Sequence, residues 1–335
     1  MPVVSAPYEI NADDVFVDLQ DVFGVPLHLK CEGFNLAGSV KLKAALEMVR
    51  AAERDGLLTP GSVIVESSSG NLGIALSMIA AHRGYGFLCV TDSRCNRAAR
   101  RLMESFGAEV RVVTQPAGER GLLGARLDMV HALCEEDPRY VWLNQYANPN
   151  NWQAHYRSTA PAVAAEFPEL DVLFVGAGTG GTLMGCARWF REQDRHVTIV
   201  AVDSVGSVTF GGPALPRLIP GLGAGVRPPL LDSSLVDDVV MVPEQDTLQS
   251  CHALARRGFL FGGSTGTVVS GALRWLAGRE DAAALTTVAI APDQGERYLD
   301  TVYDPSWVEH HFGSPMSWDD AADRDPRSYE LARDM

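Results

Sequence analysis

Hydrophobic and polar positions along the chain follow two periods, which predict interleaved strands and helices. Short β-branched runs such as 62–66 and 87–91 are typical of strands, and a segment with helical spacing follows each of them. The helix that begins near residue 41, for example, repeats apolar residues at i, i+3, i+4 and i+7 from Leu42. Strands and helices alternate through short connections, and the alternation resumes after residues 144–151. The pattern predicts an α/β fold with mainly parallel sheets flanked by helices.

Length and charge narrow the class of protein. The chain has 335 residues and a formal net charge of −14, which suggests one large or two ordinary domains. An acidic chain is a poor partner for nucleic acid, whose phosphates require Lys/Arg patches. No basic amphipathic run, bilayer-spanning apolar run or signal peptide is evident. We therefore expect a cytoplasmic protein that acts on small molecules.

Cysteine and histidine spacings point to no metal or disulfide framework. The six cysteines are scattered and form no CxxC pair, which indicates reduced thiols in a cytoplasm. The histidines form no HExxH and no cluster with metal-ligand spacing. The sequence therefore predicts no metal site.

Three glycine-rich stretches are predicted to connect a strand to a helix. They are SSSGNLG at 67–73, GAGTGGTLMG at 176–185 and GGSTG at 262–266. Turns of this kind present backbone N–H groups at a positive helix end, where carboxylates and phosphates bind. Lys41 follows a further Ser/Gly turn and lies on the first turn of a predicted helix, where partial burial and the helix dipole favour a neutral, nucleophilic amine. The alternative is a solvated surface lysine.

The second glycine-rich stretch also supports a different enzyme class. Gly176, Gly178 and Gly181 match GxGxxG, and Asp203 lies near the end of the next predicted strand. This pattern predicts a nicotinamide-dependent oxidoreductase as an alternative. The mid-chain position of the motif and its continuation as GTGGT, with hydroxyls suited to a phosphate monoester, count against it. An oxidoreductase would also leave Lys41 and the SSSGN turn without a use.

The order of these motifs resembles that in the fold type II pyridoxal phosphate enzymes, the cysteine synthase and β-synthase family. The motifs are the lysine after GS, the SSSGN turn, the GTGGT loop and the late GGS turn. The resemblance runs from about Glu32 to Tyr298. It implies pyridoxal 5′-phosphate as cofactor, a homodimer, and two domains that are each a mainly parallel sheet flanked by helices. Residues 37–147 would form a small mobile domain with the Asn/substrate loop. Residues 1–36 and 148–335 would form the large cofactor-binding domain with a polar C-terminal tail.

The resemblance also implies a role for each motif. Lys41 would form the imine with the cofactor and remove the Cα proton, Asn71 would bond the cofactor 3′-oxygen, and Ser264 would bond the pyridine nitrogen. The cofactor phosphate would be held by Gly178, Thr179, Gly180, Gly181 and Thr182. The substrates would be held by Ser67, Ser68, Ser69 and Gln145. Three further substrate-site candidates rest on residue chemistry: Tyr146 for its hydroxyl, Arg126 as the local cation that anionic substrates need in an acidic protein, and Gly221 in a GLGAG stretch that would form a flap. The alternatives are a core tyrosine, a surface arginine and an ordinary surface loop. A serine at the ring nitrogen favours loss of a β-leaving group, so the expected chemistry is β-replacement through an aminoacrylate.

Departures from the common cysteine synthase pattern resemble a narrower group. Lys43 lies in KLK where KDR is usual, Leu72 follows Asn71 where a threonine is usual, and Tyr146 stands where a phenylalanine is usual. These features resemble the N-(2-amino-2-carboxyethyl)-L-glutamate synthases of 2,3-diaminopropionate biosynthesis, in siderophore or peptide-antibiotic pathways. The resemblance implies O-phospho-L-serine and L-glutamate as substrates, with phosphate released.

Several alternatives to this assignment remain open from the sequence. Within the class, the alternative is a sulfhydrylase that makes cysteine from O-acetylserine or O-phosphoserine. A non-catalytic paralogue is a third possibility, which the intact Lys41, Asn71 and phosphate loop disfavour. The pathway partner implied by analogy is an NAD-dependent oxidative enzyme that releases diaminopropionate.

Overall fold

The computed structural model describes residues 3–313 of the chain. The predicted polar C-terminal tail lies outside these residues. The described chain forms two compact units. The first comprises the chain up to Ala12 together with Phe34–His155, and the second comprises Asp13–Gly33 together with the chain from Tyr156 onward. The mobility of the smaller predicted domain stays a prediction.

Ten strands occur in the part of the chain that the structure describes. They are β1 (Phe16–Asp18), β2 (Leu27–Cys31), β3 (Val63–Ser67), β4 (Gly86–Asp92), β5 (Glu109–Val113), β6 (Tyr140–Trp142), β7 (Val172–Gly176), β8 (Thr198–Ser204), β9 (Asp238–Val242) and β10 (Thr287–Ala291). Most are rich in Val, Ile and Leu, as expected for strands covered on both faces.

Eleven α-helices connect or flank these strands within residues 3–313. They are α1 (Gln20–Phe23), α2 (Lys41–Arg54), α3 (Asn71–Arg83), α4 (Arg97–Ser105), α5 (Gly121–Glu136), α6 (Pro149–Arg157), α7 (Thr159–Glu166), α8 (Gly181–Glu192), α9 (Glu244–Arg256), α10 (Gly263–Ala277) and α11 (Pro305–Phe312). Among the described residues, no helix combines the length and hydropathy needed to cross a bilayer.

The sheet of the first unit has the strand order β5-β4-β3-β6, and all of its strand pairs are parallel. Ile64 of β3 belongs to a core with α2 and α3, whereas the next residue, Val65, packs in a core with Val130 and Leu133 of α5. Helices therefore cover both faces, as parallel sheets require. Because β3 and β6 are parallel, their carboxyl ends lie at one edge, where the 67–73 turn begins.

The sheet of the second unit has the order β1-β2-β10-β7-β8-β9. Only the β1–β2 pair is antiparallel, and the four other pairs are parallel. Phe174 of β7 and Val202 of β8 pack in one core with Val269 and Ala272 of α10. Ligands of such sheets bind beyond the carboxyl ends of the strands, which is where the glycine-rich stretch after β7 lies.

The predicted α/β class with two mainly parallel sheets is confirmed, one local prediction is corrected, and one helix was missed. Strand β6 ends at Trp142, so Gln145 and Tyr146 lie after it and not within it. The GGSTG stretch at 262–266 is not a separate turn, because α10 already begins at Gly263 and an isolated bridge at Phe261, not a strand, precedes it. Helix α6 was not predicted, since the polar run at its start lacks an apolar period.

Candidate active site

Lys41 is the first residue of α2 and follows a turn centred on Asn35. The Asn35 Oδ1 accepts the Ala37 N–H at 3.0 Å, and its Nδ2 donates to the Ser39 carbonyl at 3.1 Å. Val40, not Ser39, precedes the helix as its cap, without a side-chain bond. The Ser39 hydroxyl is buried beside the turn and makes no hydrogen bond to the start of the helix.

The chain contains few lysines, which limits the candidates for the imine-forming amine. The full sequence contains only Lys30, Lys41 and Lys43. Lys30 is fully buried in the second unit, with its Nζ 3.1 Å from Glu32 Oε1 and donating to the Asp13 carbonyl at 2.8 Å. Because the Lys30 amine is already engaged by Glu32 and Asp13, Lys41 and Lys43 on α2 are the remaining candidates.

The serine turn after β3 is shaped by Ser68. Its buried Oγ accepts the N–H of Gly73 at 3.0 Å and that of Gly70 at 3.4 Å, which satisfies orphan donors at the start of α3. Asn71 is the first residue of that helix. Ser67 is fully buried and Ser69 is half-buried, so the turn presents its polar groups at a positive helix end, as a carboxylate site requires.

Gln145 lies against the serine turn. Its Nε2 donates to the Ser67 carbonyl at 2.8 Å, and its backbone N–H donates to Glu66 Oε2 at 3.2 Å. The structure therefore brings together two of the sequence-predicted substrate segments within the first unit. It also adds Glu66, which the sequence reasoning missed. The available signal was a carboxylate inside a β-branched run, since glutamate is rarely fully buried unless its charge is paired.

Arg126, on α5, is a buried cation beside Tyr146. Its Nε lies 3.3 Å from Asp92 Oδ2, with both side chains almost fully buried. Burial acts to raise the pKa of Asp92, but hydrogen bonds from Arg94 and the Arg126 charge together hold it below its ordinary value. Burial raises the pKa of Tyr146, which the nearby Arg126 and Ser67 side chains act to lower. Arg126, Tyr146 and the serine turn are thus neighbours in the first unit.

The loop after β7 in the second unit has the geometry of a phosphate site. The strand ends at Gly176, Gly180 caps α8 in the left-handed conformation, and the first helical bond runs from the Met184 N–H to the Gly180 carbonyl. The first turn of α8 lies at a positive helix end, where backbone N–H groups bind anions. The predicted Gly178–Thr182 segment therefore fits a phosphate group.

Within the second unit, Gly221 lies close to both this loop and Ser264. A Cβ built on Gly178 would lie 3.0 Å from the Gly221 carbonyl oxygen, and a Cβ built on Gly221 would lie 2.0 Å from Ser264 Oγ. The Gly223 N–H donates to the Ala177 carbonyl at 2.8 Å. Ser264 is buried on the first turn of α10. Gly178 and Ser264, two of the predicted cofactor residues, therefore both lie close to Gly221.

Replacing Gly221 by alanine is expected to weaken cofactor binding about tenfold or more. The residue has a φ of +114°, and the new methyl would displace Ser264; strain of this kind costs about 1–3 kcal/mol. The measurement is cofactor affinity by fluorescence titration of the apoenzyme. Gly225→Ala is the matched control, because nothing lies within 4 Å of its Cβ. Equal affinity in the two variants would contradict the prediction.

Asp203, the acidic residue of the dinucleotide pattern, is fully buried near the end of β8. Its Oδ1 accepts the Ser204 N–H at 2.8 Å. Burial raises its pKa to about 6, against hydrogen bonds with Ser207 and Thr209 that act to lower it. The carboxylate thus organises its own loop and is not presented to a ribose.

Comparison with known proteins decides the family. The family model described as pyridoxal-phosphate dependent enzyme matches residues 17–293. The chain belongs to the pyridoxal-phosphate dependent enzyme family. Two proteins similar to it are N-(2-amino-2-carboxyethyl)-L-glutamate synthases. The one from Ralstonia nicotianae is 38% identical over 281 residues, 83% of this chain and 82% of the relative. The one from Cupriavidus metallidurans is 38% identical over 298 residues, 87% of each.

A solved structure supports the same conclusion. The crystal structure of O-ureido-L-serine synthase matches with a TM-score of 0.83 at 31% identity, and covers 94% of this chain and 98% of that one. The predictions of the family, of a β-replacement enzyme and of pyridoxal 5′-phosphate as cofactor are confirmed. The oxidoreductase alternative is excluded. The roles of individual site residues stay predictions.

Proposed function

We propose that this pyridoxal-phosphate dependent enzyme joins O-phospho-L-serine and L-glutamate to N-(2-amino-2-carboxyethyl)-L-glutamate, with release of phosphate. The observation that carries the proposal is the buried Arg126 beside Tyr146 and the serine turn. The names of the two similar synthases support the same product.

The local charge favours an anionic leaving group. Arg126 and Arg94 share the single carboxylate of Asp92, with Arg94 Nη2 3.2 Å from Asp92 Oδ2. The Arg94 side chain is largely exposed, so Arg126 is the buried cation of this group. A phosphate ester would find an arginine suited to bidentate recognition, whereas an acetyl ester would leave that charge without an anion. This contrast favours O-phosphoserine over O-acetylserine.

The residues of each unit have proposed tasks. The bound cofactor would supply the electron sink that makes the substrate Cα–H bond acidic. Gly178–Thr182 would hold its phosphate, Asn71 its 3′-oxygen and Ser264 its ring nitrogen, where a hydroxyl does not fix a proton as a carboxylate would. Lys41 would hold the cofactor and then move the Cα proton.

In the proposed reaction, the amine of glutamate replaces the phosphate group on Cβ of phosphoserine. Lys41 takes the proton from Cα, the Cβ–O bond breaks, and phosphate leaves with the bonding electrons. The amine of glutamate then forms the new Cβ–N bond and loses a proton, and Lys41 returns a proton to Cα. Ser67, Ser68 and Ser69 hold the α-carboxylate throughout. Gln145 and Tyr146 line the reacting face.

The test is product analysis with the holoenzyme. Native protein is incubated with O-phosphoserine and ¹⁵N-glutamate, and phosphate and product mass are followed in time. We expect one phosphate per ¹⁵N-labelled product and little phosphate release without glutamate. Cysteine formation from sulfide, with no product from glutamate, would replace the proposal with the sulfhydrylase.

The proposed product defines the next reaction class. Release of diaminopropionate requires cleavage of the C–N bond to the glutamate carbon skeleton, which an oxidation accomplishes. We therefore propose an NAD-dependent oxidative enzyme as the pathway partner. A homodimer and a cytoplasmic location stay predictions.

A further inference from the structure

Glu66, the penultimate residue of β3, is a fully buried carboxylate surrounded by donors. Its Oε1 accepts the Ser67 N–H at 2.9 Å and the Trp142 Nε1–H at 3.1 Å. Its Oε2 accepts the Gln145 N–H at 3.2 Å. Each of these three groups can only donate, so the site requires an acceptor at both carboxyl oxygens.

These bonds connect two segments that are distant in sequence. The end of β3 and the turn after β6 are joined by Glu66, and again by the bond from Gln145 Nε2 to the Ser67 carbonyl at 2.8 Å. Asn151 Nδ2 fixes the Gln145 carbonyl at 2.7 Å. Both carboxyl oxygens of Glu66 already accept donors of the protein, so Glu66 is not one of the residues that touch a substrate. It acts through the backbone of the residues that do.

We propose that Glu66 is a positioning residue, whose carboxylate sets the backbone of Ser67 and Gln145 so that the serine turn presents its donors to the α-carboxylate of an amino-acid substrate. The proposal rests on the proposed function to the extent that the turn at 67–69 binds that carboxylate. It does not depend on which leaving group or nucleophile the enzyme uses.

Protonation of Glu66 should make substrate affinity depend on pH. Burial raises its pKa to about 7, although its hydrogen bonds act to lower it. The titratable groups that face it are Cys89 of β4, Cys134 of α5 and Tyr146 after β6, and burial raises the pKa of each, which keeps them neutral. Below pH 7 a proton occupies one oxygen and displaces a donor. Substrate affinity should therefore be full above pH 7 and fall as the pH drops through it.

The test compares the holoenzyme with Glu66→Gln. An isosteric amide places an NH2 group against a donor and removes the titration. L-Serine is the probe, because it lacks the phosphate whose second pKa of about 6 would confuse the profile. Its dissociation constant is read from the visible absorbance of the cofactor between pH 6 and 8. Cofactor affinity and melting temperature are measured in parallel.

We expect Glu66→Gln to weaken L-serine binding about tenfold at pH 8. The dissociation constant of the native protein should rise on acidification with an inflection near pH 7 beyond the slope that protonation of the serine amine gives, and Glu66→Gln should remove that inflection. Cofactor affinity should stay within about twofold of native. Glu104→Gln is the matched control, because Glu104 is an exposed carboxylate paired with Arg100 on α4. It should retain both the native affinity and the native pH profile.

Two results would overturn the proposal. One is native L-serine affinity with an unchanged pH profile in Glu66→Gln. The other is loss of serine and cofactor binding in proportion, which indicates a structural role alone. If Glu66→Gln does not fold, Trp142→Phe removes one donor to Oε1 and should weaken serine binding about threefold; no weakening would contradict the proposal. An enzyme that binds L-serine but makes no product from phosphoserine and glutamate would refute the proposed function only.

Discussion

Replacing Lys41 by alanine is expected to lower the turnover number by about 10³-fold or more, because the variant loses both the cofactor-holding amine and the group that moves the Cα proton. General acid–base catalysis alone contributes about 10²–10⁴-fold. Lys41 is the first residue of α2. The measurement is the steady-state rate of phosphate release with phosphoserine and glutamate, for native and variant proteins reconstituted with cofactor.

The small number of lysines allows a direct chemical check of the same prediction. Borohydride reduction of the holoenzyme followed by peptide mapping should place the cofactor on Lys41 and not on Lys30 or Lys43, the only other lysines. Lys43→Arg is the matched control, since it keeps the charge two residues away and removes a competing amine. Label on Lys43, or a Lys41→Ala variant with more than about a tenth of native turnover, would refute the assignment.

Replacing Arg126 by glutamine is expected to lower kcat/KM for O-phosphoserine about 10- to 100-fold. A hydrogen bond to a charged group contributes about 1.5–3 kcal/mol, which corresponds to this range. The value for O-acetylserine should change much less, because that ester carries no phosphate for the guanidinium to bind. Asp92 keeps the Arg94 contact in the variant, which limits the cost of leaving a buried carboxylate unpaired.

Arg120→Gln is the control for the Arg126 experiment. Arg120 immediately precedes α5, but its side chain is exposed and pairs with Asp128 on the surface. It should leave the selectivity between the two esters unchanged. An equal loss for both esters in Arg126→Gln would mean that the residue supports the fold of the serine turn and does not select the leaving group.

The parts of the fold that the sequence predicted are those where periodicity and turn chemistry agree. The β3 run and the serine turn after it combine a buried strand with a Ser/Gly connection, and the structure contains both. The glycine-rich composition of residues 262–266 predicted a turn that the structure does not contain. Glycine is required there because Ile219 and Asp293 pack closely against the backbone. Such contacts arise from segments distant in sequence and leave no local pattern.

Individual side chains of the site show the same limit. Arg126 was predicted from its chemistry alone, but its counter-ion Asp92 was not, because the two lie on different elements and meet only through the packing of α5 on β4. Asp203 illustrates the reverse error. Its spacing after GxGxxG matches a ribose-binding carboxylate, yet burial turns it inward to its own loop. Spacing identifies which residues could act, and tertiary burial decides which of them do.

The most direct test of the account is the visible spectrum of the holoenzyme during sequential addition of O-phosphoserine and L-glutamate. We predict that the cofactor band shifts with phosphoserine, that phosphate appears in equal amount to the enzyme, and that the original band returns only when glutamate is added. A band that phosphoserine does not shift, or that returns with sulfide and not with glutamate, would contradict the proposed reaction.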